Sequence, residues 1–194
     1  LALLAIQREA FADRPLSLPP ALRAAAKITL AVLVLQIALG GWVSTNYAVL
    51  ACNGFPACSG SWWPEADWGQ AFTVLRPLGR TAEGDFLPFG ALVAIHWAHR
   101  LFAMVAAGAA VALAVALWRQ GGVLRSAWAR ALLGLMGLQL ATGLSNVVLQ
   151  WPLVAALMHS AGAAALVLLL TLLLARSATR SPAVQRSGAQ VGLA

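Results

Sequence analysis

Charge is what this sequence has least of. Only 10% of its 194 residues are charged, where a soluble domain carries about a quarter because its surface must face water. With 61% hydrophobic residues and a mean hydropathy of +0.80, the shortfall excludes a soluble domain and a disordered chain, and it leaves an integral membrane protein. Cysteine is nearly absent. Cys52 and Cys58 are the two present, too few for a disulfide-rich secreted scaffold. Carboxylates are missing from the long apolar runs, which argues against a zinc site inside them. The net charge of +7 would suit nucleic acid if it were spread over a surface. Instead the basic residues sit in short segments beside apolar runs, where they set membrane topology.

Four apolar runs, at 28–50, 90–118, 128–149 and 153–175, reach the length of about 20 helical residues that a hydrocarbon core requires. Pro88 and Pro152 stand just before the second and fourth, where proline suits a helix start. The fold class expected is an all-α, polytopic membrane four-helix bundle. Before the first run, Arg8, Arg14, Arg23 and Lys27 outnumber Glu9 and Asp13. In the 51–89 segment, Glu65, Asp67, Glu83 and Asp85 outnumber Arg76 and Arg80. Arg119, Arg125 and Arg130 follow the second run, and Arg176, Arg180 and Arg186 follow the fourth. Basic segments stay cytoplasmic, so both termini are expected inside and the long 51–89 loop outside. Residues 1–6 read as the last turns of an apolar segment, and the chain as part of a longer protein. The tail beyond 175, rich in Ser, Gly, Gln and Arg, has the composition of a disordered end.

Two short patterns recur. The first run contains Gln36-Ile-Ala-Leu-Gly40 and the third Gln139-Leu-Ala-Thr-Gly143; each precedes small polar residues, and each run is followed by one bearing histidine. Two related helical hairpins, one with a large loop inserted, account for this. Close packing of small residues accounts for it equally.

The histidines are His96 and His99 in the second run and His159 in the fourth. Intramembrane histidines are costly enough to be functional candidates. His159 lies 7 residues after Pro152, and His96 and His99 lie 8 and 11 residues after Pro88. At 1.5 Å per residue, the three rings sit about 10, 12 and 16 Å down their helices and share one level in the outer half of the bilayer. Two imidazoles facing each other across helices can bind haem iron from both sides, and the residues flanking these, such as Ala103, Ala106, Ala161 and Gly162, leave room for a flat macrocycle. A structural hydrogen-bond network and a proton path are the competing readings. Arg100, the one basic residue deep inside a run, could pair with haem propionates or snorkel to the interface. Cys52 and Cys58 lie on the side expected to be oxidising, so a disulfide is the default, as a staple or as a redox-exchanging pair. Trp62, Trp63 and Trp68 suit an interfacial lid.

The ordered set Gln36-Ile-Ala-Leu-Gly-Gly-Trp-Val-Ser-Thr-Asn-Tyr47, Ala51-Cys-Asn-Gly-Phe-Pro-Ala-Cys58, Trp62-Trp-Pro64, Ile95-His-Trp-Ala-His-Arg100 and Leu144-Ser-Asn-Val-Val148 leading to His159 resembles the haem A synthase family over about residues 28–175. The resemblance implies an eight-helix, pseudo-symmetric membrane oxidoreductase of two four-helix halves. It would oxidise the methyl group of haem O to the formyl group of haem A for cytochrome oxidase assembly. In the family's first half a glutamate stands three residues before the His-Arg pair; here that position is His96, so the chain looks like the second half, which holds a b-type haem. Carried over, the axial ligands fall on His99 and His159, although depth alone slightly favours His96 with His159. Arg100 and His96 fall beside the haem, and the loop cysteines on Cys52 and Cys58. No catalytic residue is assigned, because the Glu-x-x-His-Arg motif is absent.

The expected organisation is a cytoplasmic segment over 1–27, a four-helix haem-binding unit over 28–175 with outer loop 51–89, and a cytoplasmic tail over 176–194, in the cell inner (plasma) membrane. Expected partners are haem O, haem A, the missing N-terminal half, the lipid membrane, and in principle haem O synthase and other assembly factors; nucleic acid is not one. Rival readings are a four-helix cytochrome b module that only transfers electrons, and a haem-free proton-relay or assembly protein.

Overall fold

The computed structural model describes residues 16–178. Its elements are α1 (Pro20–Thr45), the single-turn α2 (Trp68–Ala71), α3 (Phe89–Gln120), a π-helical turn (Leu124–Ala129) running into α4 (Arg130–Val148), and α5 (Leu153–Ala178). The spans Pro20–Thr45, Phe89–Gln120, Leu124–Val148 and Leu153–Ser177 are long and apolar enough to cross a membrane. The protein is thus a polytopic membrane bundle. Among the described residues there is no β-strand beyond two isolated bridges in the loop.

Helix ends depart from the apolar runs for local reasons. α1 begins at Pro20, eight residues before the first run, because Pro20 needs no N–H in the first helical position and the alanine-rich stretch after it is a strong helix former. Part of the expected 1–27 segment is therefore continuous with the first spanning helix. α1 ends at Thr45, where Asn46 turns its side-chain amide back to the Trp42 carbonyl at 2.9 Å. Tyr47 follows in the left-handed region (φ 59°). α5 continues three residues past 175, and the rest of the expected tail, with residues 1–15, lies outside the described residues.

The helices form an up-down-up-down ring. α1 packs chiefly on α3 and α4 on α5, while α1–α5 and α3–α4 contacts close the circle. α3 and α5 therefore face each other across the interior. One apolar core fills the loop-distal half, where Ala26, Ala110, Ala114, Ala129, Leu132, Leu170 and Leu173 are at most 1% exposed. Alanine at these contacts lets the backbones come close. Towards the loop the burial changes. Val43, Ala91, Ala94, Ile95 and Trp97 pack beneath the loop, whereas Leu149, Leu153, Val154 and Leu157 at the α4–α5 end are exposed. The loop covers one hairpin only.

The loop is tied down polar group by polar group. Cys52 and Cys58 form a disulfide with Cα atoms 4.8 Å apart. Asn46 Oδ1 accepts from the Gly79 amide at 3.3 Å. Trp42 Nε1 donates to the Ala71 carbonyl at 2.9 Å, and Asp67 caps α2 by accepting from the Gln70 amide. Gly79 has φ +72°, and any Cβ there would strike the Tyr47 ring at 2.8 Å.

Candidate functional site

The two recurring patterns land on the two hairpins in the same way. On α1, Gln36 Nε2 donates to the His99 carbonyl at 3.2 Å and lies 3.0 Å from His99 Nδ1. On α4, Gln139 Nε2 donates to the His159 carbonyl at 2.8 Å. One turn further on, each glycine lies under the imidazole. A Cβ at Gly40 would stand 3.1 Å from His99 Cε1, and one at Gly143 would stand 3.1 Å from His159 Cε1. The Gln-x-x-x-Gly spacing thus has a mechanical meaning. Residues four apart share a helix face, so the glutamine anchors the neighbouring helix through its carbonyl while the glycine makes room for the ring. The repetition of this unit supports two related hairpins over a coincidence of small residues.

His99 on α3 and His159 on α5 stand on the two helices that oppose each other across the ring. His159 also meets a hydroxyl, with Thr142 Oγ1 3.1 Å from its Nδ1. The donor set of two imidazoles, each with a backbone cradle that a methyl group would crowd, fits an iron porphyrin held between opposed helices. Among the described residues no cluster of three or more His, Cys, Asp or Glu side chains is placed to hold a bare metal ion.

His96 and Arg100 are placed differently. His96 is 5% exposed, and its Nε2 accepts from Arg100 Nε at 3.2 Å. Arg100 Nη1 donates to the carbonyls of Gly54 at 2.9 Å and Ala57 at 3.4 Å, and Nη2 donates to the Cys52 carbonyl at 2.5 Å. Of the five N–H groups of a guanidinium, four are thereby used, three of them on the ring closed by the disulfide. Arg100 is thus the bolt that holds the stapled segment on α3, one residue from His99, and a single N–H is left over. The sulfurs are enclosed, with Cys58 0% and Cys52 2% exposed. That favours the staple over the exchanging pair, since exchange needs an attacking thiolate to reach a sulfur.

Sequence reasoning brought out His99, His159 and both Gln-x-x-x-Gly patterns, but it gave the glycines only close helix packing and the glutamines and Thr142 no role. The signal available was the equal spacing of the patterns and the equal depth of the histidines. Nothing in the sequence marked Thr142, because a threonine beside a glycine is ordinary in a membrane helix.

The cytochrome oxidase assembly protein family (COX15-CtaA) matches residues 1–171 of this chain. Haem A synthase of Shewanella oneidensis is 39% identical over 145 residues, which cover 75% of this chain and 43% of that protein. The chain therefore spans under half the length of this relative. No solved structure matches it. A match over most of the chain, together with a bundle whose opposed helices present matched histidines, leads to one assignment: the chain belongs to the cytochrome oxidase assembly family that contains haem A synthase.

Proposed function

We propose that this chain is the haem-b-bearing half of a haem A synthase, an oxidoreductase that converts the methyl group of haem O to the formyl group of haem A. The observation that supports it most is the duplicated Gln–Gly–His arrangement on diagonally opposed helices. His99 and His159 would hold the haem iron between them. With two histidines bound to it, the group would supply electron transfer and not oxygen binding. The chain's own residues then have distinct tasks. Gln36 and Gln139 fix the rotation of α3 and α5 through the histidine carbonyls. Gly40 and Gly143 admit the rings. Arg100, with His96, holds the stapled loop over the α1–α3 side and keeps water from that edge of the site.

The distribution of basic residues supports a plasma-membrane orientation with both termini cytoplasmic and the loop outside. The coverage of the relative supports a second, substrate-handling half elsewhere in the full protein, where haem O would be bound and oxidised. The test is the reduced-minus-oxidised optical spectrum of the detergent-purified chain. A sharp low-spin b-type signal, lost in both His99→Ala and His159→Ala, is expected. A folded, monodisperse chain without that signal, or one whose signal survives both substitutions, would overturn the reading.

A further inference from the structure

The two histidines are not held alike, and the difference lies in one hydroxyl. Thr142 Oγ1 makes three contacts: 2.7 Å to the Leu138 carbonyl, 3.3 Å to the Gln139 carbonyl and 3.1 Å to His159 Nδ1. A hydroxyl has one proton to give. Carbonyls can only accept, and the 2.7 Å contact to Leu138 is the usual back-bond of a helical threonine to the residue four before it. The proton of Thr142 is therefore spent on the backbone, and towards His159 the oxygen can only accept. A neutral His159 must then carry its proton on Nδ1, which leaves the lone pair on Nε2.

We infer that Thr142 is the positioning residue for His159, fixing the tautomer in which Nε2 is ready to bind iron; the inference rests on the haem reading above. The α1–α3 hairpin lacks this device. Three residues after Gln36 stands Leu39, where three residues after Gln139 stands Thr142. What faces His99 is the amide nitrogen of Gln36, 3.0 Å from Nδ1 and 3.4 Å from Nε2, a donor that favours a lone pair on Nδ1. Gln36 Oε1 meanwhile is buried without a partner, a costly condition for a carbonyl oxygen. Gln36 Nε2 also anchors the His99 carbonyl at 3.2 Å, so this amide stays a donor towards the ring and offers no acceptor for an Nδ1 proton. His159 is thus set before the ligand arrives, and His99 has no matching device. A neighbour that accepts the Nδ1–H makes an imidazole a stronger donor, and removing such a partner typically weakens metal affinity about 10- to 100-fold.

The test compares the wild-type chain with Thr142→Val, which keeps the branching and removes the oxygen, and Thr142→Ser, which keeps the oxygen. Nitrogen-15 NMR of histidine-labelled, haem-free chain in bilayers reports the tautomer directly. Titration with haem b and redox potentiometry report affinity and potential. Wild type and Thr142→Ser are expected to show one histidine held protonated at Nδ1. Thr142→Val should lose that signature, bind haem about tenfold or more weakly and give a more positive midpoint potential, because a poorer donor favours ferric iron less. Equal tautomer, affinity and potential in wild type and Thr142→Val would overturn the assignment. So would a Thr142→Ser chain that behaves as Thr142→Val does, because the effect would then come from packing. A wild-type chain that takes up no low-spin haem would bring down the haem reading and this assignment with it.

Discussion

At Gly40 and Gly143 one hydrogen atom in place of a methyl group decides where an imidazole sits, and this gives a test that separates site from scaffold. Alanine is favoured over glycine inside a helix by about 0.5–1 kcal/mol, so on helical grounds Gly143→Ala should stabilise the haem-free chain. The added Cβ would stand 3.1 Å from His159 Cε1, closer than such contacts normally come, so the ring must shift. We expect an equal or higher Tm for the haem-free chain together with reduced haem retention, read from thermal denaturation and from the low-spin absorbance. A fall in Tm without loss of haem would contradict the role assigned to the glycine. Arg100→Ala tests the loop bolt. The enclosed disulfide should resist dithiothreitol in the wild type and be reduced at least about tenfold faster in the variant, with Arg100→Lys intermediate, because an ammonium lacks the fork that reaches several carbonyls at once. Thiol labelling against time reads this out.

Among the elements, the four spanning helices were legible because an apolar run of membrane length has few alternatives. Their ends were not. Hydropathy begins at Ile28, yet helical hydrogen bonding begins at Pro20, since helix formation responds to proline and alanine while hydropathy responds to the solvent outside. The choice between His96 and His99 was equally out of reach of depth arithmetic. Three residues turn a helix to within about 60° of a full circle, and that small angle sends His96 to the loop and Arg100, and His99 to Gln36 and Gly40. The turn between α4 and α5 was visible from the helix start signalled by Pro152, but its backbone was not. Gln150 (φ 54°) and Trp151 (φ 66°) are both left-handed without being glycine, a conformation that costs about 1–2 kcal/mol per residue. Gln150→Gly should therefore raise stability by up to about 1 kcal/mol, measurable as a higher Tm, and a lower Tm would show that the Gln150 side chain contributes more than its backbone costs.

For the whole molecule, the proposed function predicts a division of labour. The chain expressed as it stands should bind haem b and leave haem O unconverted; supplying the rest of the full-length protein in the same membrane should restore conversion, measured by haem extraction and chromatography. Conversion by this chain alone would contradict the assignment of the chemistry to the other half. The matched hairpins carry a further consequence for how a cofactor enters. In an up-down-up-down ring, α1 and α4 point one way and α3 and α5 the other, so the two Gln–Gly–His units are related by a half-turn about the bundle axis. A flat, asymmetrically substituted macrocycle would meet nearly the same walls after that rotation. What distinguishes its two faces is Thr142 against Leu39, Arg100 and His96 against Ser160 and Ala156, and the loop lying over a single hairpin. Freshly loaded protein should then hold a mixture of two rotational isomers that drifts towards one, visible as paired sets of haem-methyl resonances whose ratio changes with time. The chain's handedness towards a bound haem would then be a property annealed after binding, set by the few places where the second hairpin fails to copy the first.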